Sequence, residues 1–205
     1  ASGMSAAINA ARAIMLGDGD LFLAGGVEQM TRAPYVMAKP ERAFQRNLEI
    51  FDTTLGWRFI NQRFPGLVGT DSMGETAENV AAEFKISRTD QDRFAFRSQQ
   101  KAAQAKSRKR FEREIVPVTV KVDRGTSTFS EDEFPRADTT VEKLANLKPA
   151  FRENGTVTAG NSSGINDGAA ALLLSSEAGL ARFALKPRAR IVSNGVTGIA
   201  PRIMG

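Results

Sequence analysis

The densest run of residues able to meet a ligand is Thr158-Ala159-Gly160-Asn161-Ser162-Ser163-Gly164-Ile165-Asn166-Asp167-Gly168. Small, hydroxyl, amide and glycine residues here lead directly into an apolar run, and a loop of this kind lets the backbone approach a bound molecule closely. The same composition also suits a tight structural turn, which turn chemistry alone favours. Ser2, Asp71, Glu75 and Asp167 are, as bare residue types, cap and turn formers rather than catalysts. The 205 residues include no Cys and no His. That excludes a disulfide scaffold, most transition-metal sites, every Cys-His couple and the usual imidazole base. Chemistry carried by these residues would be carboxylate or lysine based, or the catalytic groups lie elsewhere; no catalytic residue and no metal ligand is assigned.

The elements that must hold such a loop follow from periodicity. Met4, Ile8, Ala11 and Met15 recur at helical spacing and Gly17 follows as a cap, which predicts a helix from Ser2 to Leu16. Leu21-Phe22-Leu23-Ala24, ended by Gly25-Gly26, predicts a buried strand of a sheet covered on both sides. From Met30 to about Gly155 the chain turns polar and holds most of its prolines and charges, as an excursion from the core. Within it, Glu75 to Phe84 is helical, and Ser87-Arg88-Thr89-Asp90 caps a longer helix toward Lys106. The basic run Lys106 to Arg113 fits that helix's solvated end better than a nucleic-acid site. Ile115 to Val122 alternates as a strand with Pro117 at an edge, and Thr139-Thr140-Val141-Glu142 opens a short helix. The core pattern returns from Thr156, with an apolar run Gly168 to Leu174, a helix Ser176 to Phe183 and a strand Arg188 to Ser193. An insertion between two parts of one α/β core is the implied organisation.

The length suits one core or a core with a smaller lobe. With 41% hydrophobic and 25% charged residues the composition is that of an ordinary globular protein. Twenty-eight Lys and Arg against 23 Asp and Glu give a formal +5, compatible with a phosphate-bearing partner and equally with an ordinary solvated surface. No apolar run approaches a membrane span, and a cytoplasmic location is expected. The opening Ala1-Ser2-Gly3-Met4 enters a helix pattern without a basic segment; it does not read as a signal peptide and reads as a cut.

Taken whole, T-A-G-N-x-S-G-x-N-D-G-A-A-A over Thr158 to Ala171 resembles a segment of the thiolases. Other segments agree in order. Ala1-Ser2-Gly3-Met4 resembles the residues after the nucleophile in the family's Cys-x-Ser-Gly motif, and Gly25-Gly26-Val27-Glu28-Gln29-Met30 its G-G-x-E-x-M strand end. Ser72 to Asn79, Leu147 to Phe151 and Gly198 to Gly205 resemble its insertion helix, its L-[RK]-P-A-F segment and the start of its linker into a second half. Leu55 to Asn61 and Thr70 to Met73 look closest to thiolases that cleave 3-oxoadipyl-CoA.

The resemblance implies a layered α/β fold, with core at 1–30 and 156–197, an inserted mixed α+β, CoA-binding loop domain at 31–155 and a linker from 198. It implies a cysteine acyl-enzyme whose nucleophile precedes Ala1 and whose other catalytic groups lie beyond Gly205, so that this chain alone is inactive. Coenzyme A is then a substrate, no cofactor is required, and partners are CoA, acyl-CoA thioesters and further copies in a homodimer or homotetramer, not nucleic acid or membrane. Carried over by position, Arg136 meets the nucleotide end of CoA, Phe151 and Met73 line the pantetheine tunnel, Ser163 meets a pantetheine amide, and Ala159 and Ser72 complete the CoA or substrate contacts. Ser72 stands where many biosynthetic acetoacetyl-CoA thiolases have histidine, which weighs against a purely biosynthetic role. The alternatives are a ketoacyl-CoA thiolase of fatty-acid oxidation, an acetyl-CoA acetyltransferase, a noncatalytic CoA-binding protein on the same scaffold and, more distantly, a basic nucleic-acid-binding module.

Overall fold

In a computed structural model, which describes residues 2–204, the elements in chain order are α1 (Ser2–Leu16), β1 (Leu21–Glu28), β2 (Tyr35–Met37), β3 (Ile50–Asp52), α2 (Phe64–Leu67), α3 (Met73–Glu83), α4 (Arg88–Ser107), β4 (Val118–Val122), β5 (Gly125–Phe129), α5 (Val141–Ala145), β6 (Gly168–Ser175) and α6 (Glu177–Arg182). Short 3-10 turns lie at Met30–Arg32 and Pro201–Ile203. Helix starts follow hydroxyl chemistry: the side chains of Ser72, Ser87, Thr140 and Ser176 accept from the backbone N–H three residues on. Each satisfies a donor that the helix itself leaves open. Gly17, at φ +83, ends α1 in the left-handed region that a glycine enters without steric cost.

The chain divides into two compact units, Ala1–Leu55 with Ile165–Gly198, and Gly56–Gly164 with Ile199–Gly205. Residues 31–55, read from sequence as part of the insertion, cluster with the first unit, where β2 and β3 pair and the Thr53 backbone N–H and hydroxyl donate to the Pro34 carbonyl. Residues 156–164, read as returning core, cluster with the second, for the hydrogen-bonding reason given below.

In the first unit β1 and β6 form an antiparallel ribbon in register from Leu21↔Ser175 to Glu28↔Gly168, with α1 packed on it. The approach of the two strands is close enough that a Cβ on Gly25 would sit 2.8 Å from the Ala170 carbonyl oxygen. The strand expected at 21–24 exists, but not covered on both sides. Ala24 is buried and Phe22 half-buried, whereas Leu23 is 74% and Val27 79% exposed. Side chains alternate across a strand, so Phe22 and Ala24 share one face of β1 and Leu23 and Val27 the other; α1 packs on β1 and β6, and α6 on β6. The helix stripe agrees with expectation in its middle and not at its ends: Ala10 is buried and Ala7, Ile8, Ala11 and Ile14 half-buried, while Met4 and Met15 are exposed. Alanines allow the helix to sit close on the ribbon, and the methionines lie off that contact. The strand expected at 188–193 is irregular in the structure; apolarity marks a candidate strand, but a ladder needs a hydrogen-bonding neighbour.

In the second unit, the expected strand at 115–122 begins only after Pro117, and turns through Asp123-Arg124 into β5, which the sequence reading missed. Gly-Thr-Ser-Thr-Phe lacks apolar alternation, so its pairing comes from the tight turn and from cross-strand contacts such as Thr119 Oγ1 to Thr128 Oγ1 at 2.9 Å. Helices α3, α4 and α5 are joined through buried polar groups. Glu78 of α3, 4% exposed, accepts from the Thr156 N–H (2.8 Å), the Thr156 hydroxyl (3.0 Å) and the Val157 N–H (2.8 Å). Asp92 of α4 accepts from Arg88 Nε (2.8 Å) and Asn161 Nδ2 (3.0 Å), and the Arg88 guanidinium also donates to the carbonyls of Leu144 and Leu147.

Removing the Glu78 carboxylate orphans two backbone N–H groups where water is scarce. Glu78→Ala should therefore lower the unfolding free energy by about 3 kcal/mol, and Glu78→Gln, which keeps an acceptor, by less. Urea denaturation of the purified variants checks this, with a shifted midpoint at unchanged slope as the expected result.

Candidate functional site

The candidate residues lie in the second unit, on the N-terminal end of α3 and on two loops that α3 and α4 hold in place. Ser72 caps α3: its hydroxyl accepts from the Glu75 N–H at 3.3 Å, and its carbonyl accepts from the Thr76 N–H and hydroxyl. Its oxygen is thus already engaged, though the residue is exposed and the hydroxyl can still donate. Met73 follows, 58% exposed. Phe151, 45% exposed, lies against the same turn of helix, since a Cβ on Gly74 would fall inside its ring. Glycine at 74 is required by this packing rather than by its backbone angles. The structure thus brings Ser72, Met73 and Phe151 together and leaves an apolar surface beside the helix start.

Ala159 and Ser163 sit on the glycine loop, both exposed. The loop is positioned from within. Thr158, fully buried, receives the Gly160 N–H on its hydroxyl at 3.2 Å, and its own N–H donates to Asn161 Oδ1 at 2.7 Å. Gly160 passes so close to Leu144 and Leu147 that a Cβ there would stand 2.5 Å from each. Thus the Thr, Gly and Asn of the motif serve the loop's own conformation, and Ala159 and Ser163 are the members presented outward. Beyond Gly164 the motif enters the first unit, where Asp167 accepts from the Thr31 N–H (3.0 Å) and hydroxyl (2.5 Å). Those bonds hold its carboxyl below the usual range. Asp167 is a long-range tether to Thr31, where its residue type suggested a local cap or turn former.

Arg136 lies on the approach to α5. Its N–H donates to Gln99 Oε1 at 2.8 Å and its carbonyl accepts from the Thr139 hydroxyl at 2.8 Å, so backbone contacts fix the residue while its side chain stays exposed. The neighbouring Asp138 carboxyl is held below its usual range, chiefly by the Lys143 ammonium that hydrogen-bonds it. Glu75, Asp71 and Asn79 form a polar face along α3. Arg152 donates to Glu75 and, at 2.9 Å, to Asn79, and Asn79 donates to Asp71 at 2.8 Å. The Glu75 pairing raises the Arg152 pKa further, so the cation is permanent.

A cleft of about 260 Å³ opens at the start of α3, lined by Trp57, Ser72, Met73, Thr76, Arg202 and Met204 among others. Trp57 and Arg202 were not singled out from sequence; no periodicity marks either, and only the folded chain brings residues 57 and 202 to one helix end. Three cations of the basic run at the end of α4 meet acids: Lys106 pairs with Glu131, Lys109 with Glu112 and Arg110 with Glu114. Among the described residues, no group of His, Cys, Asp or Glu gathers as a metal site, and no helix is long and apolar enough to cross a membrane.

Together these features define an α/β protein in which the start of α3 presents a small apolar and hydroxyl surface. The chain belongs to the thiolase family: residues 1–178 match the model of the thiolase N-terminal domain. Over all 205 residues it is 56% identical to the 3-oxoadipyl-CoA/3-oxo-5,6-dehydrosuberyl-CoA thiolase of Escherichia coli (strain K12), covering 51% of that protein. It is 53% identical, with the same coverage, to a beta-ketoadipyl-CoA thiolase of Acinetobacter baylyi. The acetyl-CoA acetyltransferase of Bacillus anthracis superposes with a TM-score of 0.85 at 45% identity, over 98% of this chain and 50% of that one. The chain spans about half the length of the curated relatives it matches.

The Gly74 contact makes a signed test. Alanine in a helix is ordinarily worth up to about 1 kcal/mol over glycine, but a Cβ here must displace the Phe151 ring, and overpacking costs roughly 1 to 3 kcal/mol. Gly74→Ala should therefore destabilise the protein, and Gly74→Ala with Phe151→Leu should recover part of the loss; thermal melts of the three proteins decide it.

Proposed function

We propose that this chain is the CoA-recognising part of a thiolase that transfers an acyl group between CoA thioesters through a cysteine acyl-enzyme, acting in degradative thiolysis of a 3-oxoacyl-CoA such as 3-oxoadipyl-CoA. The observation that carries the reading is likeness along the whole chain to thiolases whose names specify that substrate. The cysteine and histidine that such chemistry uses are not among these residues. A thiolate from elsewhere in the protein attacks the 3-oxo carbon, the C2–C3 bond breaks to give acetyl-CoA after protonation, and the thiol of CoA then takes the acyl group from cysteine. With 3-oxoadipyl-CoA the second product is succinyl-CoA.

Within that reaction these residues bind and orient. The Arg136 guanidinium meets the nucleotide end of CoA, where a planar cation suits phosphate or adenine. Phe151 and Met73 flank the pantetheine arm, Ser163 and Ala159 meet its amides, and Ser72 faces the acyl end. The ribbon face that carries Leu23, Val27 and Leu173 supports assembly as a homodimer or homotetramer, because apolar area of that kind calls for cover. A cytoplasmic location belongs to the same proposal. The reading as an acetyl-CoA acetyltransferase draws on the Bacillus anthracis likeness and separates by substrate.

Assays of the full-length enzyme with 3-oxoadipyl-CoA and acetoacetyl-CoA test the proposal. The expected kcat/KM favours 3-oxoadipyl-CoA by about tenfold or more. The reverse preference establishes the acetyltransferase reading, and CoA binding without turnover of either establishes a noncatalytic one. The 205 residues alone should turn over neither. In the full-length enzyme Arg136→Ala should raise the KM for CoA about tenfold with little change in kcat, and should reduce the sensitivity of that KM to added salt. Unchanged CoA affinity and salt response in the variant would overturn the placement of Arg136.

A further inference from the structure

The cleft at the start of α3 has apolar walls and one cation. Trp57, Met73 and Met204 line it, and of the described residues lining it Arg202 alone is positively charged. Trp57 is fixed by an edge-on contact with Phe64 and by its indole N–H, which donates to the Asp71 carbonyl at 3.4 Å. Arg202 is fixed twice. Its carbonyl accepts from Asn79 Nδ2 at 2.9 Å, which ties the turn Pro201–Ile203 to α3, and its Nη1 donates to Glu83 at 2.8 Å. Both partners of that ion pair stay about half exposed, and a guanidinium carries five N–H donors in a rigid fork. A second carboxylate can therefore reach it. The other charge on the lining, Asp71, is engaged by Asn79 at 2.8 Å.

From this geometry we infer that Arg202 selects substrates whose acyl chain ends in a carboxylate, by pairing with that carboxylate across the cleft while Trp57 and Met204 cover the methylene chain. The inference rests on the proposed thiolysis of 3-oxoacyl-CoA thioesters and deepens it by naming the residue that separates dicarboxylic from neutral acyl chains. Apolar walls alone discriminate weakly between chains of equal length, whereas a guanidinium fork gives a carboxylate terminus charge-assisted hydrogen bonds that a methyl terminus cannot make. Asn79 acts through Arg202 as a positioning residue.

The test is the ratio of kcat/KM for 3-oxoadipyl-CoA to that for 3-oxohexanoyl-CoA, which has the same chain with a methyl in place of the carboxylate, in the full-length enzyme. Arg202→Met should lower the value for 3-oxoadipyl-CoA by about tenfold or more and leave 3-oxohexanoyl-CoA within about twofold, and Arg202→Lys should keep most of the selection. Activity on the neutral substrate reports that the variant is folded. An equal fall on both substrates, or no fall on either, overturns the role of Arg202 while leaving thiolysis itself intact. A wild-type enzyme that cleaves acetoacetyl-CoA but not 3-oxoadipyl-CoA overturns the substrate assignment, and the role of Arg202 with it.

Discussion

One buried carboxylate organises the second unit. Glu78 stands in the middle of α3 with almost no solvent exposure, and its carboxylate oxygens accept hydrogen bonds from a single short segment, Thr156 and Val157. Burial of a carboxylate is costly unless every lone pair finds a donor, so the segment cannot drift from the helix without exposing that cost. The close pass of Gly155 follows from the same constraint, since a Cβ there would collide with the carboxylate itself. From this fixed point the loop continues to Thr158 and Asn161, and Asn161 passes the tether on to Asp92 of α4. The outward members of the loop, Ala159 and Ser163, keep their places because the inward members are fully hydrogen-bonded.

The two units differ in what holds them. The second is joined by polar side chains reaching backbone groups of distant segments, with Arg88 spanning from α4 to the last carbonyls beside α5. The first is held by main-chain pairing of β1 with β6 and by alanines of α1 lying on that ribbon, with little apolar side chain enclosed. Long apolar side chains such as Leu23 and Leu173 project outward from one face of the ladder. The facing edges of the two strands are paired, while the apolar face is left without cover by the residues of this chain, which spans about half the length of its relatives.

At the start of α3 the two kinds of constraint meet. Ser72 caps the helix, Gly74 admits the Phe151 ring, and the polar face of Asp71, Glu75, Asn79 and Glu83 recurs every four residues, one above the other on the helix surface. That face receives Arg152 at one level and the turn at Pro201–Ile203 at another. The apolar side chains Met73, Trp57 and Met204 are thereby left facing a cleft rather than each other's cores. A surface that joins one helix end, an aromatic and a distant turn follows from the polar face more than from any apolar attraction.

Much of the local structure was legible in the sequence because it rests on neighbours. The cap at Ser87 and the helix opening at Thr139-Thr140 are short-range hydrogen bonds, and Gly17 ends α1 through backbone freedom alone. Membership of the thiolase family was legible for a different reason: motifs such as the glycine loop keep the residue types their conformation demands, and here Thr158, Gly160 and Asn161 are used for that conformation. Long-range pairing was not legible. The sequence could not tell that β1 would be covered on one face only, that 188–193 would lack a ladder, or that a polar Gly-Thr-Ser-Thr-Phe would complete a hairpin, since each depends on what lies beside the segment. The sequence by itself determined the family and the longer helices, whose signals are set within a few residues. Only the tertiary structure decided that Glu78 would bind residues 156 and 157 and that Trp57, Met73 and Arg202 would share one cleft, because contacts across 78 to 145 positions exist only once the chain has closed on itself.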